Sequence, residues 1–232
     1  RDRAHKPKTV TVELDPDTSL EKSVIQGEGT TRCTAGKQGT VSIVAKNYHG
    51  KPVSEGGDNF TAFVKTSTGQ LVECDVSDNN DGTYTVTYVV EKAGPMTLSF
   101  RLHGSERRYQ LTCMPAECDP QKCGVDVSDL AVWKVGKKAK VLIERRDRFG
   151  NPITNRAGQT RVTGSGSGPG KLEVSTVENE DGTCQVVLNG SKCGQYKIKI
   201  FEAGTNRELC GSPVLAMLHP GQPFPRKCEV KV

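Results

Sequence analysis

The 232-residue sequence predicts an all-β protein made of two sandwich domains in tandem. Apolar and polar residues alternate in many short runs, such as Thr83–Val90 and Tyr196–Ile200. Successive side chains of a strand point to opposite faces, so this alternation is typical of half-buried antiparallel strands. Turn signals separate the runs about every 10 residues, and no segment with a period of 3.6 is long enough for a helix. About seven runs fall in each half, which indicates two immunoglobulin-like β-sandwiches of about 100 residues each.

An internal repeat sets the domain boundaries. Asp-Gly-Thr occurs at 81–83 and again at 181–183, and "YHGKP" at 48–52 aligns with "RFGNP" at 148–152 at the same offset. Turns that recur at a constant offset indicate two copies of one domain. We predict domains at 13–115 and 116–222. Residues 223–232 are predicted to be a linker or the first strand of a following repeat, because "FPRKCEVKV" resembles "DPQKCGVDV" near the start of the second copy.

Two kinds of turn are expected in each copy. In Asn80-Asp81-Gly82-Thr83, the glycine suits a positive φ and the aspartate can cap the turn with its side chain. In His49-Gly50-Lys51-Pro52, a glycine turns the chain and a proline begins the next extended segment.

The composition argues against nucleic-acid and membrane functions. The net charge is +5, with 34% hydrophobic and 25% charged residues, as in a globular protein. The basic residues are scattered and no aromatic stacking platforms lie among them, so we expect no nucleic-acid partner. No run approaches the roughly 18 apolar residues that a membrane-spanning helix requires, so we expect no membrane span within this chain.

No motif indicates catalysis or a bound metal. The histidines at positions 5, 49, 103 and 219 share no metal-ligand spacing, and no HExxH, P-loop or GxSxG motif occurs. The stretch "GSGSGPG" lacks the Lys-Ser/Thr of a phosphate-binding loop. We therefore expect a non-enzymatic protein with no cofactor and no metal.

The nine cysteines allow several interpretations. Cys113, Cys118 and Cys123 are spaced by five, which does not match the close CxxC pairs of common zinc sites. In an oxidising compartment, two disulfides are candidates: Cys33 with Cys113, and Cys193 with Cys210. The alternative for other cysteines, such as those at 74 and 184, is that they act as small buried hydrophobic residues.

Two sequons match the consensus for N-glycosylation. They begin at Asn59, in Asn-Phe-Thr, and at Asn189, in Asn-Gly-Ser. The second is expected to lie in an exposed turn.

The motifs together resemble filamin-type repeats. The first copy has "KNYHGKP", "GGDNF", "DNNDGTYTVTY" and "EKAGPMTLSF", and the second has "RDRFGNP", "ENEDGTCQV", "SKCGQYKIKI" and "GSPV". The first copy lacks the family's "G-S-P-F" element, and Cys184 stands where the family's strand E usually carries tyrosine. The resemblance covers nearly the whole chain and indicates two tandem repeats of a divergent multi-repeat protein.

The resemblance implies docking of an extended peptide beside strand C, over the groove between strands C and D. An edge strand offers unpaired backbone groups for such pairing. In the first copy, strands "NFTAFVKT" and "LVECDVS" place outward the candidate partner-binding residues Thr61, Phe63, Lys65, Leu71 and Glu73. In the second copy, the candidates are Arg161, Thr163 and Lys171. Its glycine-rich strand C region, at 160–170, is expected to be irregular and the poorer site.

Three functions are consistent with this resemblance. The first is a scaffold or spacer with protein partners within a longer repeat array, which favours a cytoplasmic or cytoskeletal location. The second is an extracellular adhesion ectodomain, similar to gamete-adhesion proteins, which the cysteines and sequons favour. The third is the substrate- or RNA-recruiting domain of a tripartite-motif ubiquitin ligase, which suits "GGDNF" but not tandem copies.

Overall fold

The structure is a computed structural model that describes residues 18–154 and 161–222. These residues form two compact units that divide between Met114 and Pro115, with Glu91–Ala93 grouped with the second unit. The prediction of an all-β fold with two tandem immunoglobulin-like sandwiches is confirmed. The predicted segment 223–232, Cys228 and the start of the first predicted domain at 13–17 lie outside the described residues.

From residue 18 onward, the first unit has nine strands in two sheets. Their order is β1-β3-β7-β6 in one sheet and β2-β9-β8-β4-β5 in the other. The strands are β1 Val24–Gln26, β2 Arg32–Thr34, β3 Gln38–Val44, β4 Thr61–Lys65, β5 Leu71–Glu73, β6 Asp75–Asp78, β7 Thr83–Val89, β8 Gly94–Leu102 and β9 Ser105–Met114.

The core of the first unit lies between these sheets and follows the predicted alternation. Tyr84, Val86 and Tyr88 of β7 are buried, as are Leu98 and Phe100 of β8. Their neighbours on the same strands are mostly half-buried or exposed. Burial of one face of each sheet therefore fixes the register of the strands.

The predicted single strand D of the first copy is wrong, because "LVECDVS" contributes to both sheets. β5 pairs with β4, and β6 pairs with β7. Between them, the backbone N–H of the buried Cys74 donates to the carbonyl of Ala62 at 3.0 Å. The chain changes sheets at this cysteine, and β5 becomes an additional edge strand beside β4.

The described residues of the second unit form seven strands in two sheets. Their order is β10-β11-β14-β13 and β12-β15-β16. The strands are β10 Gly124–Asp126, β11 Ala139–Glu144, β12 Val162–Ser167, β13 Leu172–Glu178, β14 Cys184–Gly190, β15 Gly194–Glu202 and β16 Val214–Leu218.

An aromatic pair lies in the core of the second unit. Trp133 and Tyr196 are buried, with ring centroids 5.5 Å apart. The indole N–H of Trp133 donates to the carbonyl of Lys137 at 3.1 Å, so its polar atom is satisfied within the core. Val186 and Ile198 pack in the same cluster.

The repeated turns form as expected. Asn80 and Gly82 have positive φ angles of 61° and 76°, and the carboxylate of Asp81 accepts a hydrogen bond from the backbone N–H of Thr83 at 2.9 Å. Gly182 has a φ of 86° in the equivalent turn. Glycine adopts this region without steric cost, which explains its recurrence in "DGT".

Helical structure is limited, over 18–154 and 161–222, to two short 3-10 turns at Glu28–Thr30 and Ser128–Val132. Each contributes buried residues beside its sandwich, including Leu130 in the second unit. In this part of the chain, no helix is long and apolar enough to cross a membrane.

Candidate partner-docking surfaces

The first unit carries an open groove on the outer face of the sheet formed by β5, β4, β8 and β9. We call it the outer groove; its volume is about 780 Å³. Four of the predicted partner-binding residues line it: Phe63, Lys65, Leu71 and Glu73. Thr61 is exposed at the start of β4 but is not among the lining residues. The predicted outward positions of the first copy thus lie mainly on one sheet face.

An aromatic residue and an arginine form the apolar part of the outer groove. Phe63 is half-buried because the guanidinium carbon of Arg101 lies 4.4 Å from the centroid of its ring. This is a favourable cation–π contact. Leu71 remains 65% exposed beside it. The groove therefore presents one shielded and one open apolar side chain.

An ion-pair network forms the polar part of the outer groove. The carboxylate of Glu106 accepts hydrogen bonds from Arg108 at 3.0 and 3.1 Å and lies 3.7 Å from Arg101. The hydrogen bond from Arg108 lowers the pKa of Glu106. The sequence analysis missed these three residues, although the alternation along β8 and β9 could have placed them on the face that includes Phe63.

In the first unit, β5 already occupies the edge of strand C, which is β4. Residues Phe63–Lys65 pair with Leu71–Glu73 in antiparallel register, and the carbonyl of Ala62 accepts from Cys74. Backbone groups that are paired within the chain are not available to a partner strand. Strand addition at this position would have to displace β5.

In the second unit, strand C is β12, and only one of its two sides is paired with another described strand. All six of its residues pair with β15, from Val162 with Glu202 to Ser167 with Lys197. Over the ranges that the structure describes, no strand pairs with its other side, which we call the β12 edge. A strand with one free side is a template for pairing with another chain.

The expectation of an irregular strand C in the second copy is wrong. β12 is a regular strand, and its glycines lie at alternate positions that face the interior of the sandwich. A Cβ added at Gly164 would lie 3.3 Å from Val174, and one at Gly166 would lie within contact of Leu172. The glycines therefore permit close packing of the two sheets, and they do not disrupt the strand.

The side chains next to the β12 edge are apolar within the sandwich and small outside it. Leu172 and Val174 of β13 are half-buried and pack against the core. Thr163, a predicted partner-binding residue, is half-buried on β12. The other two predicted partner-binding residues of the second copy, Arg161 and Lys171, are exposed on either side of β12. The backbone carbonyl of Arg161 accepts a hydrogen bond from the N–H of Ala203, and the side chain of Lys171 forms an ion pair with Glu173 at 3.2 Å.

A family comparison identifies the two units. The model of the Filamin/ABP280 repeat matches residues 17–108 and 117–215. The chain belongs to the filamin repeat family. The predicted resemblance is therefore confirmed.

Two relatives identified by sequence agree with this assignment. Human tripartite motif-containing protein 2 is 33% identical over 95 residues, which is 41% of this chain and 13% of the relative. Rat filamin-C is 29% identical over 158 residues, 62% of this chain and 5% of the relative. The chain thus spans a small part of each of these relatives.

Bacterial adhesins share the fold at low sequence identity. The structure of invasin, described as a bacterial integrin-binding protein, aligns with a TM-score of 0.59 at 15% identity, covering 89% of this chain and 42% of invasin. The Escherichia coli adhesin FdeC aligns with a TM-score of 0.57 at 20% identity, covering 87% of this chain and 65% of FdeC. These likenesses concern the sandwich fold.

The first filamin repeat brings together one predicted cysteine pair. Cys33 and Cys113 are directly opposite in the parallel pairing of β2 with β9. A hydrogen bond from Cys113 lowers the pKa of Cys33 despite its partial burial. None of the cysteines among the described residues is in a disulfide. The two thiols of this pair are placed where a disulfide could join neighbouring strands.

The second predicted pair, Cys193 with Cys210, is contradicted by the strand register of the second repeat. Cys193 precedes the first residue of β15, whereas Cys210 follows Leu209, whose N–H donates to Ile200 near the other end of that strand. Seven residues of strand correspond to roughly 23 Å, and disulfides require Cα atoms within about 7 Å. Both thiols are exposed and far apart.

The other cysteines and the sequons are placed as follows. Cys74 and Cys184 are buried as expected, and burial raises their pKa values to about 12 and about 11. Asn59 is exposed just before β4. The expectation of an exposed turn at Asn189 is wrong: it lies in β14 and donates a hydrogen bond to Glu173 at 3.2 Å.

Proposed function

We propose that this chain is a non-enzymatic protein-interaction module in which the second filamin repeat binds an extended peptide at the β12 edge. The observation that carries the proposal is the one-sided pairing of β12: every residue of the strand pairs with β15, and its other side is free among the described residues. The first repeat is the weaker site for this mode because β5 covers the corresponding edge.

The side chains beside the β12 edge indicate the chemistry of the peptide. Added strands contribute backbone hydrogen bonds, and their alternate side chains provide selectivity. One row of peptide side chains would face Leu172 and Val174, which are half-buried and apolar. The other row would lie beside Thr163 and Ser165, which are small. The expected ligand is a segment with apolar residues at every second position.

This mode fits a scaffold role within a repeat array. The two units of this chain offer different surfaces: an outer groove with charged and aromatic groups, and a free strand edge. Tandem repeats with unlike surfaces can hold two partners on one chain. Where both binding segments belong to one partner, the second binding event gains from effective concentration.

The experiment begins with peptides selected from a displayed random library against the 232-residue chain, followed by hydrogen exchange with a synthetic copy of the selected peptide. The expected result is slowed amide exchange in Val162–Ser167 and unchanged exchange in Thr61–Lys65. Val174→Thr should weaken binding about tenfold, because it adds a hydroxyl to the apolar contact.

Val177→Thr is the matched control, since Val177 lies on the opposite face of the same strand and is 48% exposed. It should leave the affinity unchanged. The proposal is wrong if the peptide protects β4, β8 or β9 instead, or if the two threonine variants bind alike.

A second candidate is an extracellular adhesion module, which is favoured by Cys33 and Cys113 facing each other and by the exposed Asn59. To test this candidate, the chain would be secreted from eukaryotic cells. Peptide mapping would then show whether Cys33 and Cys113 are joined by a disulfide and whether Asn59 carries a glycan. A Cys33–Cys113 disulfide together with a glycan at Asn59 would support the candidate. Unmodified Asn59 with two free thiols would exclude it.

A further inference from the structure

A second pair of cysteines lies at the beginning of the second repeat, where the sequence analysis predicted no disulfide. The Sγ atoms of Cys118 and Cys123 are 3.6 Å apart and share a hydrogen bond. A disulfide has an S–S distance of about 2.05 Å, so closure requires an approach of about 1.5 Å. Side-chain rotation can provide a movement of this size.

Backbone hydrogen bonds hold the two cysteines together. The N–H of Lys122 donates to the carbonyl of Asp119 at 2.9 Å, and the N–H of Gln121 donates to the Asp119 carboxylate at 3.0 Å. The N–H of Asp119 donates in turn to the carbonyl of Arg146 at 2.8 Å. The turn at 119–122 therefore brings Cys123 back to Cys118, and the proximity follows from the chain path.

The local electrostatics favour a thiolate within this pair. The hydrogen bond from Cys118 lowers the pKa of Cys123 to about 7, although burial opposes the shift, and the positive charge of Arg145 contributes. The shared hydrogen bond raises the pKa of Cys118 in turn, so the pair retains one proton near pH 7. Thiolates are the nucleophiles of disulfide exchange, so a pair that loses one proton near pH 7 is suited to that chemistry.

The two thiols differ in access to solvent. Cys123 is only 5% exposed, whereas Cys118 is partly exposed. The proton that remains on the pair can pass from Cys118 to Cys123 along their hydrogen bond. Cys118 then becomes the accessible thiolate, and Cys123 is placed to react with whatever Cys118 binds.

We propose that Cys118 and Cys123 form a reversible redox site that closes to an intramolecular disulfide by exchange with a small-molecule disulfide such as oxidised glutathione. The Cys118 thiolate attacks one glutathione sulfur, forming a mixed disulfide and releasing one glutathione thiolate. Cys123, after losing its proton to solvent, attacks the Sγ atom of Cys118 and releases the second. The protein loses two protons and two electrons, and one oxidised glutathione becomes two reduced molecules.

Oxidation would fix a turn that other contacts already hold. The carbonyl of Pro120 accepts from the N–H of Cys210 at 3.0 Å, and the side-chain amide of Gln121 donates to the carbonyl of Glu208 at 2.8 Å. These bonds attach the turn to the segment that follows β15. The disulfide would add a covalent constraint to the start of the second repeat.

The test is peptide mapping of the wild-type chain after equilibration in glutathione buffers of increasing oxidised fraction, with free thiols alkylated before digestion. Trypsin cleaves after Lys122, between the two cysteines, so the disulfide joins the peptides Tyr109–Lys122 and Cys123–Lys134. The expected product is this linked pair, with fragmentation placing the bond on Cys118 and not on Cys113. Excess reduced glutathione should reverse it.

Variants separate a redox role from a structural one. Cys118→Ala removes the hydrogen bond to Cys123, so alkylation of Cys123 at pH 7 should slow at least about tenfold as its pKa returns toward 8.5. Cys210→Ala, which removes an exposed thiol from the same repeat, is the matched control and should leave the alkylation rate of Cys123 unchanged. Free thiols in all buffers, glutathione adducts without ring closure, or a bond to Cys113 or Cys210 would each overturn the proposal. The peptide map of the wild-type chain tests the proposed disulfide even if a variant fails to fold.

Discussion

Gly39 lies against the ring of Tyr88 across strands β3 and β7. A Cβ added at Gly39 would be 2.5 Å from the Cζ atom of Tyr88. The hydroxyl of Tyr88 donates to the carbonyl of Gly29 at 2.5 Å, so the ring cannot move freely. In the second repeat, Ala139 faces Leu188 at the same cross-strand position. At this site the first repeat combines a glycine with a large tyrosine ring, and the second combines an alanine with a smaller leucine.

Gly39→Ala should destabilise the first repeat by about 1–3 kcal/mol, because the added methyl group overlaps a buried ring that is fixed at both ends. The measurement is the free energy of opening from hydrogen exchange of the β7 amides, since that strand belongs to the first repeat. Exchange in β14 of the second repeat should stay the same.

The compensating variant tests whether the clash is the cause. Gly39→Ala combined with Tyr88→Leu recreates the Ala139–Leu188 pair of the second repeat. The double variant should lose less stability than the sum of the two single variants, with a coupling of about 1 kcal/mol. Additive losses would show that the Gly39–Tyr88 contact does not limit the packing.

Asp147→Asn should destabilise the second repeat in a pH-dependent way. The Asp147 carboxylate accepts hydrogen bonds at 2.9 Å from the backbone N–H groups of Ala116, Phe149 and Asn151 and from the Asn151 side chain. Burial alone would raise the pKa of Asp147, but these bonds outweigh it and hold the pKa below its ordinary value of 3.8. The expected loss at pH 7 is about 2 kcal/mol, because an amide cannot accept all four bonds.

The sign of the pH dependence follows from the lowered pKa of Asp147. The carboxylate stabilises the fold fully above its ordinary pKa of 3.8, and the effect disappears as the pH falls through the lower native value. The variant and wild type should therefore differ by a constant amount from neutral pH down to about 5 and converge below about 4. Trp133, the one tryptophan of the sequence, reports unfolding of the second repeat by fluorescence. A constant difference at all pH values would contradict this account.

Glu178→Gln should expose the cost of a buried charge. The side chain of Arg145 is fully buried and donates to both oxygens of Glu178 at 2.6 Å, and to the carbonyl of Gly182 at 2.9 Å. Removing the negative partner should cost about 1–3 kcal/mol, less than for a fully buried pair because Glu178 is partly exposed. Urea unfolding followed by Trp133 fluorescence measures it. Glu173→Gln, which weakens an exposed pair with Lys171, is the matched control and should leave the stability nearly unchanged.

The alternation of side chains allowed much of the fold to be predicted, because burial of one sheet face leaves a period that the sequence records. Tyr84, Val86, Ile198 and Ile200 are the apolar positions of this alternation and are buried. The change of sheet at Cys74 could not be predicted in this way, since the alternation continues unbroken through "LVECDVS". Which strand lies beside another is decided by contacts between distant segments.

The candidate sites likewise depend on contacts between segments, which the sequence pattern does not record. The glycines of β12 were interpreted from backbone entropy, which predicted an irregular strand, whereas their positions opposite large side chains of β13 give them a packing role. Cys118 and Cys123 gave no recognisable motif, because their proximity depends on the turn at 119–122. Spacing in the sequence indicates a site only when the path of the intervening chain is already known.

Gly168→Ala should test the same packing role at the glycine that directly follows β12. A Cβ at Gly168 would overlap the ring of Tyr196, which is fully buried and anchored by a hydrogen bond from its hydroxyl to the carbonyl of Lys192 at 2.9 Å. The expected cost is about 1–3 kcal/mol in urea unfolding followed by Trp133 fluorescence. The ring of Trp133 lies against Tyr196, so the native emission should shift as well.

Gly124→Ala is the matched control in the same repeat. Its added Cβ would make ordinary contacts, 3.4 Å or more from Glu144, and the smaller conformational freedom of alanine in the unfolded chain should leave stability unchanged or raise it by up to about 1 kcal/mol. If Gly168→Ala behaved in the same way, the interior side of β12 would have room for side chains. The glycines of this region would then need another explanation.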